Sequence, residues 1–135
     1  MTRTPPLPAI RLTMPAGLAH LSLVRACLRD TATFPSEDAE SRLLLAVTEV
    51  MVNAIEASNG DRADQSDRAE IVVTIEGSPP EHVEIRDFGG AWTPSVSKPG
   101  HLGAGLVIAE ALVPLAMTTS AEGTIVRLGI EATLR

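Results

Sequence analysis

The chain has 135 residues and a mass of 14.2 kDa, enough for a single core, since one domain usually takes roughly 100–150 residues. Its 44% hydrophobic and 21% charged residues are ordinary globular usage and exclude a disordered chain. A net charge of −6 opposes attraction to phosphate backbones and anionic membranes, and with only Phe34, Phe88 and Trp92 as aromatics there is no platform for stacking bases, so direct binding to nucleic acid is not expected. No apolar run approaches the roughly 18 uncharged residues of a membrane span, and the N-terminus carries prolines rather than an apolar signal core. These features read as a cytoplasmic protein. The lone Cys27 excludes an internal disulfide and a Cys-based zinc site, which leaves an aliphatic core to hold the fold.

Residues 1–9 are expected to be a flexible segment ahead of one domain spanning 10–135. Residues 10–14 form a short apolar run stopped by Pro15, the pattern of an edge strand. Over 16–31, Leu18, Leu21, Val24 and Leu28 recur three to four apart, which predicts an amphipathic helix. Ser36 is placed to cap a second helix with Glu37 and Asp38 in its first turn, and Asn59 and Gly60 supply its stop near residue 58. Residues 61–69 are polar and read as a solvated loop. Alternation of Ile71, Val73 and Ile75, a turn over 77–80, and alternation of Val83 and Ile85 predict an antiparallel pair. Half of the ten glycines fall within 89–105. A helix over about 104–112 and a final strand pair, 115–120 and 124–131, follow. Strands grouped in hairpins, rather than alternating singly with helices, predict an α+β fold: a two-layer sandwich of a mixed, mostly antiparallel sheet with helices on one face.

Helix two carries a polar stripe, Glu49, Asn53 and Glu56, at i, i+4 and i+7 between its main apolar face and a second strip of Leu45 and Val52. A solvated edge accounts for Glu56 as well as any function does. Glu49 and Asn53, one turn apart, set a carboxylate and a carboxamide where they can address one metal-bound ligand. Asp87 shares a strand face with Val83 and Ile85, so its carboxylate points toward the core, a costly position unless hydrogen-bonded; an Asp opening a turn is the plainer alternative. Thr124 likewise shares a face with Val126 and Leu128, and across the sheet it and Asp87 could hold one polar group. Gly100, Gly103 and Gly105 precede a helix whose start could face an anion. A Gly-Lys-Ser/Thr phosphate loop and a dinucleotide fingerprint are both missing from the sequence, and His20, His82 and His101 lack metal-ligand spacing.

In this order, Glu49-x-x-x-Asn53, Asp87-x-Gly89, Gly103-x-Gly105-Leu106 and Gly123-Thr124 resemble the N box, the two glycine boxes and the terminal Gly-Thr box of the GHKL, histidine-kinase-like ATPases. The small size and the segment around "LLLAVTEVMVNAIEAS" look most like the anti-sigma-factor serine kinases. The resemblance implies ATP and Mg2+ as cofactors, Glu49 as general base and Asn53 as the magnesium ligand. It further implies that Asp87 takes the adenine amino group with help from Thr124, and that Gly89 and Ala91 border the base. Gly103, Ala104, Gly105 and Leu106 would lie along the phosphates, with residues 91–102 as a lid. A sigma factor and an antagonist (anti-anti-sigma) protein are the implied partners, with a homodimer through residues 10–14 as a further implication. Ala91 stands where the family has a second glycine, and the lid has only Lys98 and His101 as basic or titratable groups. The alternative reading is therefore a partner-docking module of the same fold with weak or no transfer.

Overall fold

The computed structural model describes residues 9–59, 70–77, 80–88 and 102–130. The chain enters through strand β1 (Ala9–Pro15) and passes a short 3-10 turn (Leu18–His20) into helices α1 (Leu21–Thr31) and α2 (Glu37–Asn59). Strands β2 (Glu70–Gly77) and β3 (Pro80–Asp87), helix α3 (Leu102–Leu112), and strands β4 (Leu115–Ser120) and β5 (Gly123–Gly129) follow. The expected 16–31 helix is thus divided: Gly17 is extended, the 3-10 turn comes next, and only the apolar stripe from Leu21 onward is α-helical. Pro15 ends β1, an edge strand, where proline is tolerated.

α2 starts where its capping chemistry places it. The Ala39 N–H donates to Ser36 Oγ at 3.1 Å, and the Glu40 N–H donates to the Ser36 carbonyl at 3.2 Å. Glu37, Asp38 and Glu40 fill the first turn, where unpaired amides favour negative charge.

The five strands form one sheet in the order β1-β2-β3-β5-β4, and all four pairings are antiparallel. The parallel component expected of a mixed sheet is not present among the described strands. The reason is topological. β3 and β4 run the same way on either side of α3, but β5 inserts between them and separates the parallel strands. Between β1 and β2 the chain crosses two helices, which return it to the end it left and make the pair antiparallel.

One face of the sheet is buried. Read across the strands in register, Ile10, Ile75, Val83, Leu128 and Leu115 make one row, and Leu12, Val73, Ile85, Val126 and Met117 the next. α2 lies over this face with Leu43, Val47, Val50 and Met51 fully buried, while α1 adds Val24 and Leu28 and α3 adds Leu106 and Ala109. Each large aliphatic side chain removed from water contributes about 1.5–3 kcal/mol. Leu45 does not join this core: it is 47% exposed, so the second apolar strip of α2 is a solvent-facing one. Cys27 packs against the core, where burial and the nearby Asp30 carboxylate push its thiol pKa up, consistent with a packing residue. No helix among the described residues is long and apolar enough to cross a membrane.

Candidate functional site

The third cross-sheet row breaks the apolar pattern. It runs Met14, Ile71, Asp87, Thr124, Thr119, through β1, β2, β3, β5 and β4. Met14 and Ile71 are buried hydrophobics like those of the first two rows, but the next positions carry a carboxylate and a hydroxyl, only 2% and 1% exposed. Strand alternation placed Asp87 and Thr124 on the inner face, and register sets them directly opposite each other. Asp87 is the last residue of β3 and is still in the ladder.

Gly123 fixes the spacing of this pair. Its φ is +139°, which side-chain-bearing residues rarely adopt, and a Cβ there would overlap the Asp87 carbonyl oxygen and lie 2.9 Å from Phe88 Cα. The β5 backbone therefore approaches the end of β3 as closely as only glycine permits. The hairpin that delivers it is tight, with Ser120 opposite Gly123 and the Glu122 N–H donating to Ser120 Oγ at 3.2 Å. The next residue, Phe88, faces the other way: it is 50% exposed, and the Arg86 guanidinium sits 4.8 Å from its ring centre.

The helices bring the remaining candidates to the same end. A groove of about 430 Å³ at the opposite end is lined by Ala39, Arg42 and Leu43 of α2, Glu81 and His82 of β3, and Leu112 of α3. From Leu43 to Asn53 the helix rises about 15 Å, and from His82 to Asp87 the strand rises about 17 Å, so Asn53 and Asp87 both lie well away from the groove. Asn53 is 3% exposed there, the one buried polar side chain of α2 among the described residues. Glu49 and Glu56, one turn to either side, are half-buried. α3 runs back toward the groove, so its first turn lies at the Asp87 end. The helix begins at Leu102, two residues earlier than expected, and Gly103, Ala104 and Gly105 form its first turn rather than a loop before it. Leu106 turns its side chain into the core, leaving its backbone for any ligand contact. Gly89, Ala91, Gly100, His101 and most of the expected lid lie outside the described residues, as does the 61–69 loop.

Two residues of this end were not singled out individually as site residues in the sequence. Gly123 was read only as part of a turn and of the Gly-Thr pair. Thr119, whose hydroxyl oxygen lies 3.0 Å from that of Thr124, is marked in the sequence only by the alternation Leu115, Met117, Thr119.

This end of the molecule offers a buried carboxylate that accepts hydrogen bonds, a buried hydroxyl, a buried carboxamide with a carboxylate one turn away, and the start of a helix. The family model of the histidine kinase-like ATPase domain matches residues 14–130, and the chain belongs to that family. ATP is accordingly the nucleotide that the family implies. Among solved structures, the RsbU and RsbW domains of Rv1364c from Mycobacterium tuberculosis share this fold, with a TM-score of 0.65 and 24% identity over 95% of this chain. This chain spans 33% of that one. The blue-light activated histidine kinase EL346 of Erythrobacter litoralis is similar over 88% of this chain and 42% of its own, with a TM-score of 0.54 and 21% identity. Its histidine kinase domain, in a separate structure, is similar over 97% and 70%, with a TM-score of 0.52 and 18% identity. At these identities the likeness is one of fold. A search of curated proteins finds no match.

Proposed function

We propose that this domain binds ATP with Mg2+ at the Asp87–Thr124 end and transfers the terminal phosphoryl group to a serine of an antagonist protein, within a switch that also engages a sigma factor. The observation that carries the reading is the buried pair of Asp87 and Thr124, 2% and 1% exposed and directly opposite each other. Asp87 and Thr124 interrupt the apolar pattern of the inner sheet face, and a carboxylate there can accept from an adenine amino group. Asn53, buried on α2, offers a carboxamide oxygen to Mg2+, an ion that prefers one or two protein ligands together with phosphate oxygens. The Mg2+–ATP complex supplies the activated phosphoryl group and offsets its charge. Glu49, half-buried one turn before Asn53, takes the proton of the attacking serine hydroxyl as the new oxygen–phosphorus bond forms and the bond to the ADP oxygen breaks. The first turn of α3 directs backbone amides toward the phosphates.

The pairing with a sigma factor and an antagonist rests on the resemblance of the ordered boxes to anti-sigma-factor kinases, and the likeness in fold to a structure containing an RsbW domain agrees with it. The replacement of a family glycine by Ala91 favours a second reading, a nucleotide-binding docking module without transfer.

Calorimetric titration with ATP and ADP, with and without Mg2+, tests the site on the wild type and on Asp87→Asn. Wild-type binding that strengthens with Mg2+ is expected. Asp87→Asn should weaken it about 10- to 100-fold, the worth of a charge-assisted hydrogen bond of about 1.5–3 kcal/mol. A wild type that binds neither nucleotide overturns the reading.

A further inference from the structure

The polar row extends one strand past the pair assigned to the base. Thr119 on the edge strand β4 stands opposite Thr124, as Thr124 stands opposite Asp87. The two hydroxyl oxygens are 3.0 Å apart, a hydrogen bond in which either residue can be the donor. Thr124 is 1% exposed, whereas Thr119 is exposed.

We infer that Thr119 is a positioning residue for base recognition, donating its hydroxyl hydrogen to Thr124 Oγ1 and thereby leaving the Thr124 hydrogen for the ligand. This rests on the reading that Asp87 and Thr124 hold an adenine base. A hydroxyl has one hydrogen and two lone pairs, so the bond to Thr119 determines what Thr124 retains for anything else. If Thr124 donates to Thr119, it can only accept on its ligand side, and the site presents two acceptors side by side, the carboxylate and the hydroxyl. If Thr119 donates, the site presents an acceptor at Asp87 and a donor at Thr124. Only the second arrangement complements an edge on which an amino donor neighbours a ring-nitrogen acceptor, as adenine has. The choice matters because in the first arrangement a ring-nitrogen lone pair would meet an oxygen lone pair of Thr124 instead of a hydrogen. Thr119, at the rim, is the residue that can set it.

The test is a double-mutant cycle read by ADP titration on the wild type, Thr119→Val, Thr119→Ser, Thr124→Val and the Thr119→Val/Thr124→Val double variant. Valine suits an edge strand and keeps the side-chain shape, and each variant's thermal midpoint is measured alongside. Thr119→Val should weaken ADP binding roughly 2- to 10-fold, the worth of one net hydrogen bond. Thr119→Ser should restore it to within about 2-fold, because only the hydroxyl matters. In the Thr124→Val background, Thr119→Val should have no further effect. Unchanged ADP affinity in Thr119→Val overturns the inference, as does an equal loss with Thr124 already replaced. A wild type that fails to bind ADP overturns the base-site reading itself, and the inference with it.

Discussion

The two ends of the sheet differ in what they bury. At one end, a groove of about 430 Å³ lies between the start of α2, the start of β3 and the end of β5, and its polar lining groups, Arg42, Glu81 and His82, all keep contact with solvent. At the other, three polar side chains, Asn53, Asp87 and Thr124, are at most 3% exposed. The two ends differ in energetic cost. Leaving Arg42 or His82 half in water costs the fold little. Burying a carboxylate, a carboxamide and a hydroxyl within one end of an aliphatic core costs several kcal/mol unless their partners are provided. The two apolar rows below show that the fold can do without such groups. The third row departs from that pattern at Asp87 and Thr124.

The comparison is sharpened most by removing the group assigned to chemistry alone. Glu49→Gln keeps the size of the side chain and removes the proton acceptor. Phosphoryl transfer to an antagonist serine should fall about 10²- to 10⁴-fold, or about 3–5 kcal/mol in barrier, while ATP affinity stays within about 3-fold, since binding is assigned to Asp87, Thr124 and Asn53. The measurement is a single-turnover transfer assay beside a titration. Transfer at the wild-type rate would remove Glu49 from the mechanism.

The next contrast uses the two glycines at opposite ends of β5. Gly123 has a positive φ and backbone where a Cβ would go, so neither side-chain rearrangement nor a new rotamer relieves the Gly123→Ala clash. A loss of about 2–5 kcal/mol in unfolding free energy is expected, with nucleotide binding lost because Asp87 and Thr124 move apart. At Gly129 an added Cβ would meet only Pro114 ring carbons, at 3.3 Å, and Pro114 is exposed and can shift. Gly129→Ala should cost under about 1 kcal/mol and leave ADP affinity unchanged. Equal effects at both positions in urea unfolding would mean that the Asp87 end is no more constrained than the groove end.

Much of this contrast was legible in the sequence, and the illegible part has a common cause. Period-two alternation put Asp87 and Thr124 on the inner face, and 3.6-residue periodicity set Asn53 beside the apolar face of α2, because both patterns are local consequences of backbone geometry. The strand order was not local. Hairpin signals correctly join β2 to β3 and β4 to β5, but nothing in either hairpin says that β5, rather than β4, lies against β3. Without that order, Thr119 cannot be seen beside Thr124, and the contact of Gly123 with Asp87, 36 positions apart in the chain, cannot be seen at all. The parallel pairing anticipated for the sheet failed for the same reason. The split of the first helix had a local sign in Gly17, which the apolar repeat from Leu18 obscured.

The smallest effect tests whether the groove end is purely structural. Ser36 accepts from the Ala39 N–H at 3.1 Å and caps α2 at that end, next to groove residues Ala39, Arg42 and Leu43. In Ser36→Ala the Ala39 amide loses this side-chain acceptor; Ala39 itself is buried, but the exposed residues 35–38 leave water at the helix start. The loss is therefore partial, about 1 kcal/mol within a usual range of roughly 0.5–2. Ser36→Asp should recover most of it, since aspartate caps as well as serine and adds negative charge at the helix start. Neither variant should alter ADP affinity, because about 25 Å of helix separates Ser36 from Asn53 and a rigid α2 transmits no change in length from a frayed first turn. If Ser36→Ala weakens ADP binding as well as stability, the two ends are coupled through α2, and the groove belongs to the functional part of the molecule rather than to its scaffold.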